Sequence, residues 1–345
     1  MDRFPIQACE VAGATLSDER AVKIALVWND QAGSAKGISL DDVTRALGEL
    51  GAEVLLECVS ASNDCRACAR KALAAGADRI VAAGGDGTVS GVAGVLAGTG
   101  TPLGVLPLGT SNSFASALGI SLDVNEALKQ LVTLSPRPVD LAWVSGGGRE
   151  RTAMVLHCMV GFHAETIAET KPEAKRRWGA LAYLGTAISK LAGYEPFAIQ
   201  LDTGNLVVES QATALAVANL APPRTVLAHG PSHLLADDGK VDVTIVATES
   251  VLEAIATGVH LYRKAKTNEA AERDNVGSFA SERVAIATVP PQKVLVDGEA
   301  FGETPVTVET QRHGLQVLAP PPTEATGPVV DAALLGLPDL EVQPG

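Results

Sequence analysis

No stretch of the 345 residues reaches the roughly 18 uninterrupted apolar positions of a membrane-spanning helix, so the sequence predicts no such span. The first twenty residues carry acids at Asp2, Glu10, Asp18 and Glu19 and lack the apolar block of a signal peptide. A cytoplasmic protein with a loose lead over residues 1–20 is expected. A basic excess is missing too. The 27 Lys and Arg face 40 Asp and Glu, and a net charge of −13 argues against nucleic acid as a partner. Five cysteines at irregular spacing make no disulfide framework. Cys65 and Cys68 form an isolated C-x-x-C inside a predicted helix, without a second pair. This argues against structural zinc and for packed thiols. The six histidines include no H-E-x-x-H set, and His157, His163, His229 and His233 read as packed or surface residues.

What the chain does have is a repeated unit rich in glycine. The apolar run Arg79–Ala83 reads as a buried strand that ends at Gly84-Gly85-Asp86-Gly87-Thr88, and a helix is predicted over Val89–Ala97. A second strand, Leu103–Leu106, feeds Pro107-Leu108-Gly109-Thr110-Ser111-Asn112-Ser113-Phe114-Ala115, with a helix starting near Thr110. Glycines let backbone N–H groups approach an anion with no Cβ in the way, and a following helix adds its positive end. Two such turns on adjacent strands indicate a phosphate-bearing nucleotide.

Around them, strands at Lys23–Trp28 and Val54–Val59 alternate with helices. Ser39 and Asp42 form a capping box for a helix ending at Gly51, Asn63 or Ser62 caps one ending at Gly76, and Asp123–Thr133 is amphipathic. This alternation predicts a parallel sheet covered by helices. After Pro136 the pattern turns to strands: Val139–Val144, Thr152–Met159, Phe197–Asp202, Leu206–Glu209, Ala212–Ala218, Val241–Val246, Val284–Val289, Val294–Val296, Val306–Glu309 and Leu315–Leu318. Helices are predicted near Gly161–Glu169, Ala174–Leu191 and Ser250–Lys264. The organisation read from this is a nucleotide-binding α/β domain over 21–138, a mostly β, sandwich-like domain over 139–319, and an irregular tail over 320–345, in which Val329–Leu335 is a candidate docking segment.

The two glycine turns and the order of the later signals resemble the diacylglycerol-kinase catalytic family of soluble lipid kinases, which includes the sphingosine and ceramide kinases. The resemblance runs from Lys23 to Leu318. It is carried by G-G-D-G-T at Gly84–Thr88 and P-L-G-T-x-N-x-F-A at Pro107–Ala115. Weaker matches are Asn29 with Gly33, the pair Gly161-Phe162, Asp238-Gly239-Lys240-Val241-Asp242-Val243, and Asp297-Gly298-Glu299. It implies an active site in an interdomain cleft and transfer of the γ-phosphoryl group of ATP to a lipid hydroxyl, with Mg²⁺.

Phosphoryl transfer needs positioning, neutralisation of phosphate charge and a base for the attacking hydroxyl. Gly84, Gly85, Gly87 and the Thr88 hydroxyl are candidates for cradling phosphate. Gly109, Thr110 and Asn112 of the second turn, with Asn29 and Ser60, complete the nucleotide-binding set. Asp86 would repel phosphate, so its roles are to hold Mg²⁺ or to orient the hydroxyl. Glu299 is the expected general base with Asp297 beside it. If the segment stays extended, the two carboxylates project from one side and crowding raises one pKa, whereas D-G also reads as a hairpin turn. The resemblance further implies a structural Mg²⁺ held by Asp238 with main-chain groups of Leu235 and Lys240.

Where many bacterial members read N-D-F-A, this chain has Asn112-Ser113-Phe114-Ala115. Where many continue the first turn with Asn-Glu, it has Ser90-Gly91. Two carboxylates are thus replaced near the phosphates, and a sphingoid acceptor such as ceramide stands beside diacylglycerol. An NAD-kinase-like phosphotransferase and a non-catalytic nucleotide-binding regulator are the competing readings. Between Lys171 and Lys190, five basic residues stand against the single acid Glu173, a local balance of +4. With Trp178 and Tyr183 nearby, this segment is a candidate edge of a lipid pocket and a contact for the inner membrane face, either by one chain or by a homodimer.

Overall fold

The computed structural model describes residues 21–32, 37–60, 64–161, 196–222, 235–247, 275–322, 332–334 and 337–345. The lead over 1–20, Gly33, Phe162, His163, His229, His233, the Lys171–Lys190 segment and the helices expected near 161–169, 174–191 and 250–264 lie outside the described residues. Those within Met1–Val139 and His313–Thr323 form one unit, and those within Asp140–Arg312 and Glu324–Gly345 form a second.

In the first unit, strands β1 (Lys23–Trp28), β2 (Glu53–Cys58), β3 (Arg79–Gly84) and β4 (Leu103–Pro107) alternate with helices α1 (Leu40–Glu49), α2 (Cys65–Ala74), α3 (Asp86–Leu96), α4 (Ser113–Ala117) and α5 (Val124–Thr133). β1 pairs in parallel with both β2 and β3, and β3 pairs with β4. The sheet is completed when Val317, near the end of the late strand β16 (Val306–Leu318), pairs in parallel with Leu103, giving the order β2-β1-β3-β4-β16. The central strands are apolar on consecutive positions because both faces are covered: Ile24–Val27 and Ile80–Ala83 are fully buried. Val43 and Leu47 of α1 and Leu128 and Leu131 of α5 pack with Leu26, Val81, Leu106 and Leu318 in one core. Helix starts are fixed by side chains. Ser39 Oγ accepts from Asp42 N at 3.1 Å, Asp64 Oδ1 from Ala67 N at 2.8 Å, and Asp123 Oδ1 from Glu126 N at 3.0 Å.

The second unit is antiparallel. Its strands are β5 (Pro136–Gly146), β6 (Arg149–Met154), β7 (His157–Gly161), β8 (Phe197–Asp202), β9 (Leu206–Ala212), β10 (Ala214–Ala218), β11 (Val241–Val246), β12 (Val276–Ser281), β13 (Arg283–Val289), β14 (Lys293–Val296), β15 (Glu299–Glu303), β17 (Ala332–Ala333) and β18 (Glu341–Pro344). One sheet runs β15-β14-β7-β10-β11-β12-β17. The other runs β18-β9-β8-β13-β16, with β5 pairing β16 and β6. Val160, Leu215, Val243 and Phe279 from the first sheet share a core with Phe197, Leu201, Val208 and Ile286 from the second. This is an α/β unit followed by a β-sandwich-like unit, as the alternation of signals predicts.

The differences from the sequence reading have physical causes. The strand expected over Thr152–Met159 is broken at Val155 and Leu156, where three main-chain N–H groups turn to the Asp297 carboxylate. The two strands expected at Val306–Glu309 and Leu315–Leu318 are one, β16, and from His313 onward it belongs to the first unit rather than the second. The tail is only partly irregular, because β17 pairs with β12 and β18 with β9.

Candidate active site

In an open parallel sheet, ligands bind beyond the carboxyl ends of the strands, where the strand order reverses. Here that point lies between β1 and β3, and Asn29 and Gly84 stand at those two ends. Asn29 N donates to Ala83 O at 3.0 Å, and Asn29 Nδ2 donates to Thr88 Oγ1 at 3.1 Å. Helix α3 begins at Asp86, three residues earlier than the sequence predicts, with Gly85 as its N-cap and no side-chain cap among the described residues. The glycine turn is therefore the first turn of the helix, where main-chain amides ahead of the first helical bonds can receive an anion.

The two glycine turns are one object. Gly84 O accepts from Leu108 N at 3.0 Å and from Gly109 N at 3.2 Å, and Asp86 Oδ1 accepts from Phe114 N at 3.0 Å. A Cβ on Gly109 would run into the Gly85 main chain and lie 2.9 Å from Asn112 Oδ1, so the backbones touch because neither residue has a side chain. Gly109→Ala is therefore expected to pry the turns apart. ATP affinity, measured by calorimetry, should fall about 5- to 150-fold, as overpacking against main chain costs roughly 1–3 kcal/mol. Unchanged affinity would remove this contact from nucleotide binding.

The side chains divide the work differently from the sequence reading. Thr88 is buried, and its hydroxyl accepts from Asn29 Nδ2, so that side chain is held within the turn. One oxygen of Asp86 is committed to Phe114 N. Asn112 adopts φ 49° and donates Nδ2 to Gly109 O at 2.9 Å, while its buried Oδ1 has no partner among the described residues. A buried acceptor left without a protein partner is costly unless a water or a bound group reaches it. Thr110 and Ser60 are exposed. Gly91 is explained by packing: a Cβ there would strike Cys65 Sγ of α2, so the helix pair has no room for the family's glutamate. Burial raises the Cys65 thiol above its usual range, as expected of a packed cysteine.

In the second unit the D-G-E segment is a turn, not an extended strand. Asp297 (φ 49°) and Gly298 (φ 87°) are the two central residues of a hairpin in which Val296 pairs with Glu299. The two carboxylates consequently do different things. Asp297 Oδ2 accepts from Val155 N at 2.9 Å, and Oδ1 accepts from Leu156 N at 2.9 Å and His157 N at 3.0 Å. Both oxygens of that carboxylate are taken up by main chain, so the two acids do not project together as an extended segment would have them. Glu299 is exposed at the start of β15. Cys158 next to this turn is inert: burial, with the Asp297 charge, pushes its thiol up to about 12.

The acidic turn before β11 lies beside buried carboxylates of β5 and β11. Asp238 Oδ1 accepts from Lys240 N at 2.9 Å, and the buried Asp140 accepts through Oδ2 from Gly239 N at 2.6 Å. Burial, with the nearby Asp140, raises Asp238 above the usual carboxylate range. Burial, with Asp238, pushes Asp242 up to about 7. Among the described residues, no three acidic, thiol or imidazole groups converge on a metal position. One carboxylate with the main-chain oxygens of Leu235 and Lys240 is nevertheless a hard oxygen donor set, and the surplus negative charge suits a dication.

The Asp242 shift has a signed consequence. Its folded pKa is raised, so between about pH 4 and 7 the native state holds a proton that the unfolded chain releases, and stability falls as pH rises through that window. Asp242→Asn removes this penalty. At pH 8 in EDTA the variant should be more stable in urea by up to roughly 4 kcal/mol, at ~1.4 kcal/mol per pKa unit. Its advantage should vanish by about pH 4. Equal urea midpoints at pH 8 would refute the shift.

These features can be set against known proteins. Residues 23–144 match the family model described as the diacylglycerol kinase catalytic domain, and residues 156–319 match a C-terminal NAD kinase beta sandwich-like domain. A probable lipid kinase YegS-like of Xanthomonas campestris pv. campestris is 31% identical over 292 residues, covering 81% of this chain and 89% of that one. The chain belongs to the diacylglycerol kinase catalytic family. Another family relative, a probable lipid kinase YegS-like of Pseudomonas putida, is 33% identical over 62% of this chain and 72% of its own. An uncharacterized protein of Synechocystis is 34% identical over 70% of this chain, which spans about half, 54%, of that relative's length. The crystal structure of a putative diacylglycerol kinase from Bacillus anthracis superposes with a TM-score of 0.70 at 21% identity, over 90% of this chain and 99% of that one, and supports the fold.

Proposed function

We propose that the protein is an ATP-dependent lipid kinase that transfers the γ-phosphoryl group to a hydroxyl of diacylglycerol or of a sphingoid lipid such as ceramide. The observation that carries this reading is the fusion of the two glycine turns through Gly84 O and the Asp86 carboxylate, in a chain whose relatives include probable lipid kinases. The amides of the first turn of α3 hold phosphate, with Asn29 and Thr88 bracing that turn, and Asn112 contacts the nucleotide. Glu299 takes the proton of the acceptor hydroxyl. The hydroxyl oxygen bonds to the γ-phosphorus as the bond to the β–γ bridging oxygen breaks, and ADP leaves. Mg²⁺, when bound, neutralises phosphate charge, and the free oxygen of Asp86 is the group that would hold it. A structural Mg²⁺ would be held by Asp238, Leu235 and Lys240.

The segment Lys171–Lys190, with Trp178 and Tyr183, supplies the basic and interfacial character that an anionic membrane surface attracts. Among the described residues no helix is long and apolar enough to cross a membrane. Purified protein with ATP, Mg²⁺ and detergent-dispersed diacylglycerol, ceramide, sphingosine and monoacylglycerol, with NAD alongside, is expected to phosphorylate one lipid and leave NAD unchanged. Phosphorylated NAD would favour the NAD-kinase-like reading. No product from any acceptor would favour the non-catalytic one.

A further inference from the structure

The break between β6 and β7 satisfies every one of its main-chain polar groups, from two sides. On one side stands Asp297, whose carboxylate receives the amides of Val155, Leu156 and His157 and whose own N donates to His157 O at 2.9 Å. On the other stands Asn219, 2% exposed at the end of β10. Asn219 N donates to Leu156 O at 2.7 Å, Leu220 N donates to the same oxygen at 3.1 Å, and Asn219 Nδ2 donates to Val155 O at 3.1 Å. The second Nδ2 hydrogen goes to Asp140 O, also at 3.1 Å. Asp140 in turn is fixed by both ends to the acidic turn: its N donates to Ala236 O at 2.7 Å, and its Oδ2 accepts from Gly239 N.

We propose that Asn219 is a positioning residue for the base, holding the D-G-E hairpin in register through the 155–157 main chain. The inference rests on the reading of Glu299 as the general base. Only a side-chain amide suits the place. Two carbonyl oxygens need two hydrogens from one short side chain; a carboxylate would repel both, and a hydroxyl could satisfy one. Removing that amide takes away the donor to Val155 O and the tie to Asp140 O, while the main-chain bonds to Leu156 O remain, so the Val155 peptide that faces Asp297 loses its fixed direction. Glu299 follows Asp297 by two residues and inherits the error.

Four proteins test this: wild type, Asn219→Ala, Asn219→Ser, and Val208→Ala, a buried core truncation on β9 that serves as a control for lost stability. Asn219→Ala is expected to lower kcat about 10- to 100-fold with KM for ATP within about twofold, the signature of a misplaced catalytic group. Amide exchange at Val155, Leu156 and His157 should speed up in the same variant, while exchange in β3 stays as in wild type. Val208→Ala should lose stability and keep its kcat. Asn219→Ser, which retains one donor, should fall between wild type and Asn219→Ala, and takes the place of the alanine variant if that chain does not fold. Wild-type kcat in Asn219→Ala, an equal kcat loss in Val208→Ala, or unchanged exchange at 155–157 would each overturn the proposal. A wild type inactive on every acceptor would instead overturn the kinase reading, and the exchange measurement would then decide alone whether Asn219 holds the hairpin.

Discussion

Glu299→Gln is expected to lower kcat by about 10²–10⁴-fold, the range that general-base catalysis contributes, while the urea midpoint stays at the wild-type value. The structure separates the two effects. Glu299 is exposed on the first position of β15, opposite Val296 in the hairpin. Glutamine keeps the length, the shape and the strand pairing and removes only the capacity to accept a proton. Initial rates with the lipid acceptor, together with a denaturation curve, give both numbers. A variant that turns over at the wild-type rate would take Glu299 out of the reaction.

Asp297→Ala is expected to cost roughly 3–5 kcal/mol of stability and to abolish turnover as well. Each of the three main-chain donors loses a charged acceptor, and such bonds contribute about 1.5–3 kcal/mol each, less than additively. Alanine also adopts φ 49° less readily than aspartate does. Asp297→Asn should sit between alanine and wild type, because asparagine tolerates that backbone conformation and keeps one acceptor oxygen. Urea denaturation of the three proteins checks the order. An alanine variant with a wild-type midpoint would show that the carboxylate does not hold the 155–157 amides in solution.

The contrast between these two acids marks how far the sequence could be read. Both stand in one tripeptide, and the resemblance of that D-G-E segment together with the two-residue spacing places them together as catalytic carboxylates. What parts them is a partner some 140 residues upstream, the main chain at 155–157, which no local pattern announces. The same long-range contact breaks the strand expected over Thr152–Met159. By contrast, the two glycine turns were legible because their chemistry is local: a buried strand, glycines, then a helix. Their fusion was not legible, since it depends on Gly84 O and the Asp86 carboxylate reaching residues 108, 109 and 114. Strand β12 escaped notice because Gly277 and Ser278 dilute its apolar pattern; Leu334 and Leu337 from the tail fill the space beside Gly277. Strand β18 was hidden by Pro344, which is tolerated because β18 is the edge of its sheet.

The late strand β16 has a consequence for how the chain is made. Leu315, Val317 and Leu318 are buried, and Val317 pairs with Leu103 beside the glycine-turn strands. As the protein emerges from a ribosome, every other strand of the first sheet is available long before this last one, and the whole sandwich sequence is synthesised in between. The unit that carries the glycine turns must wait with an open edge at β4 until residues 306–318 have been made, so its completion is timed by the synthesis of the other unit.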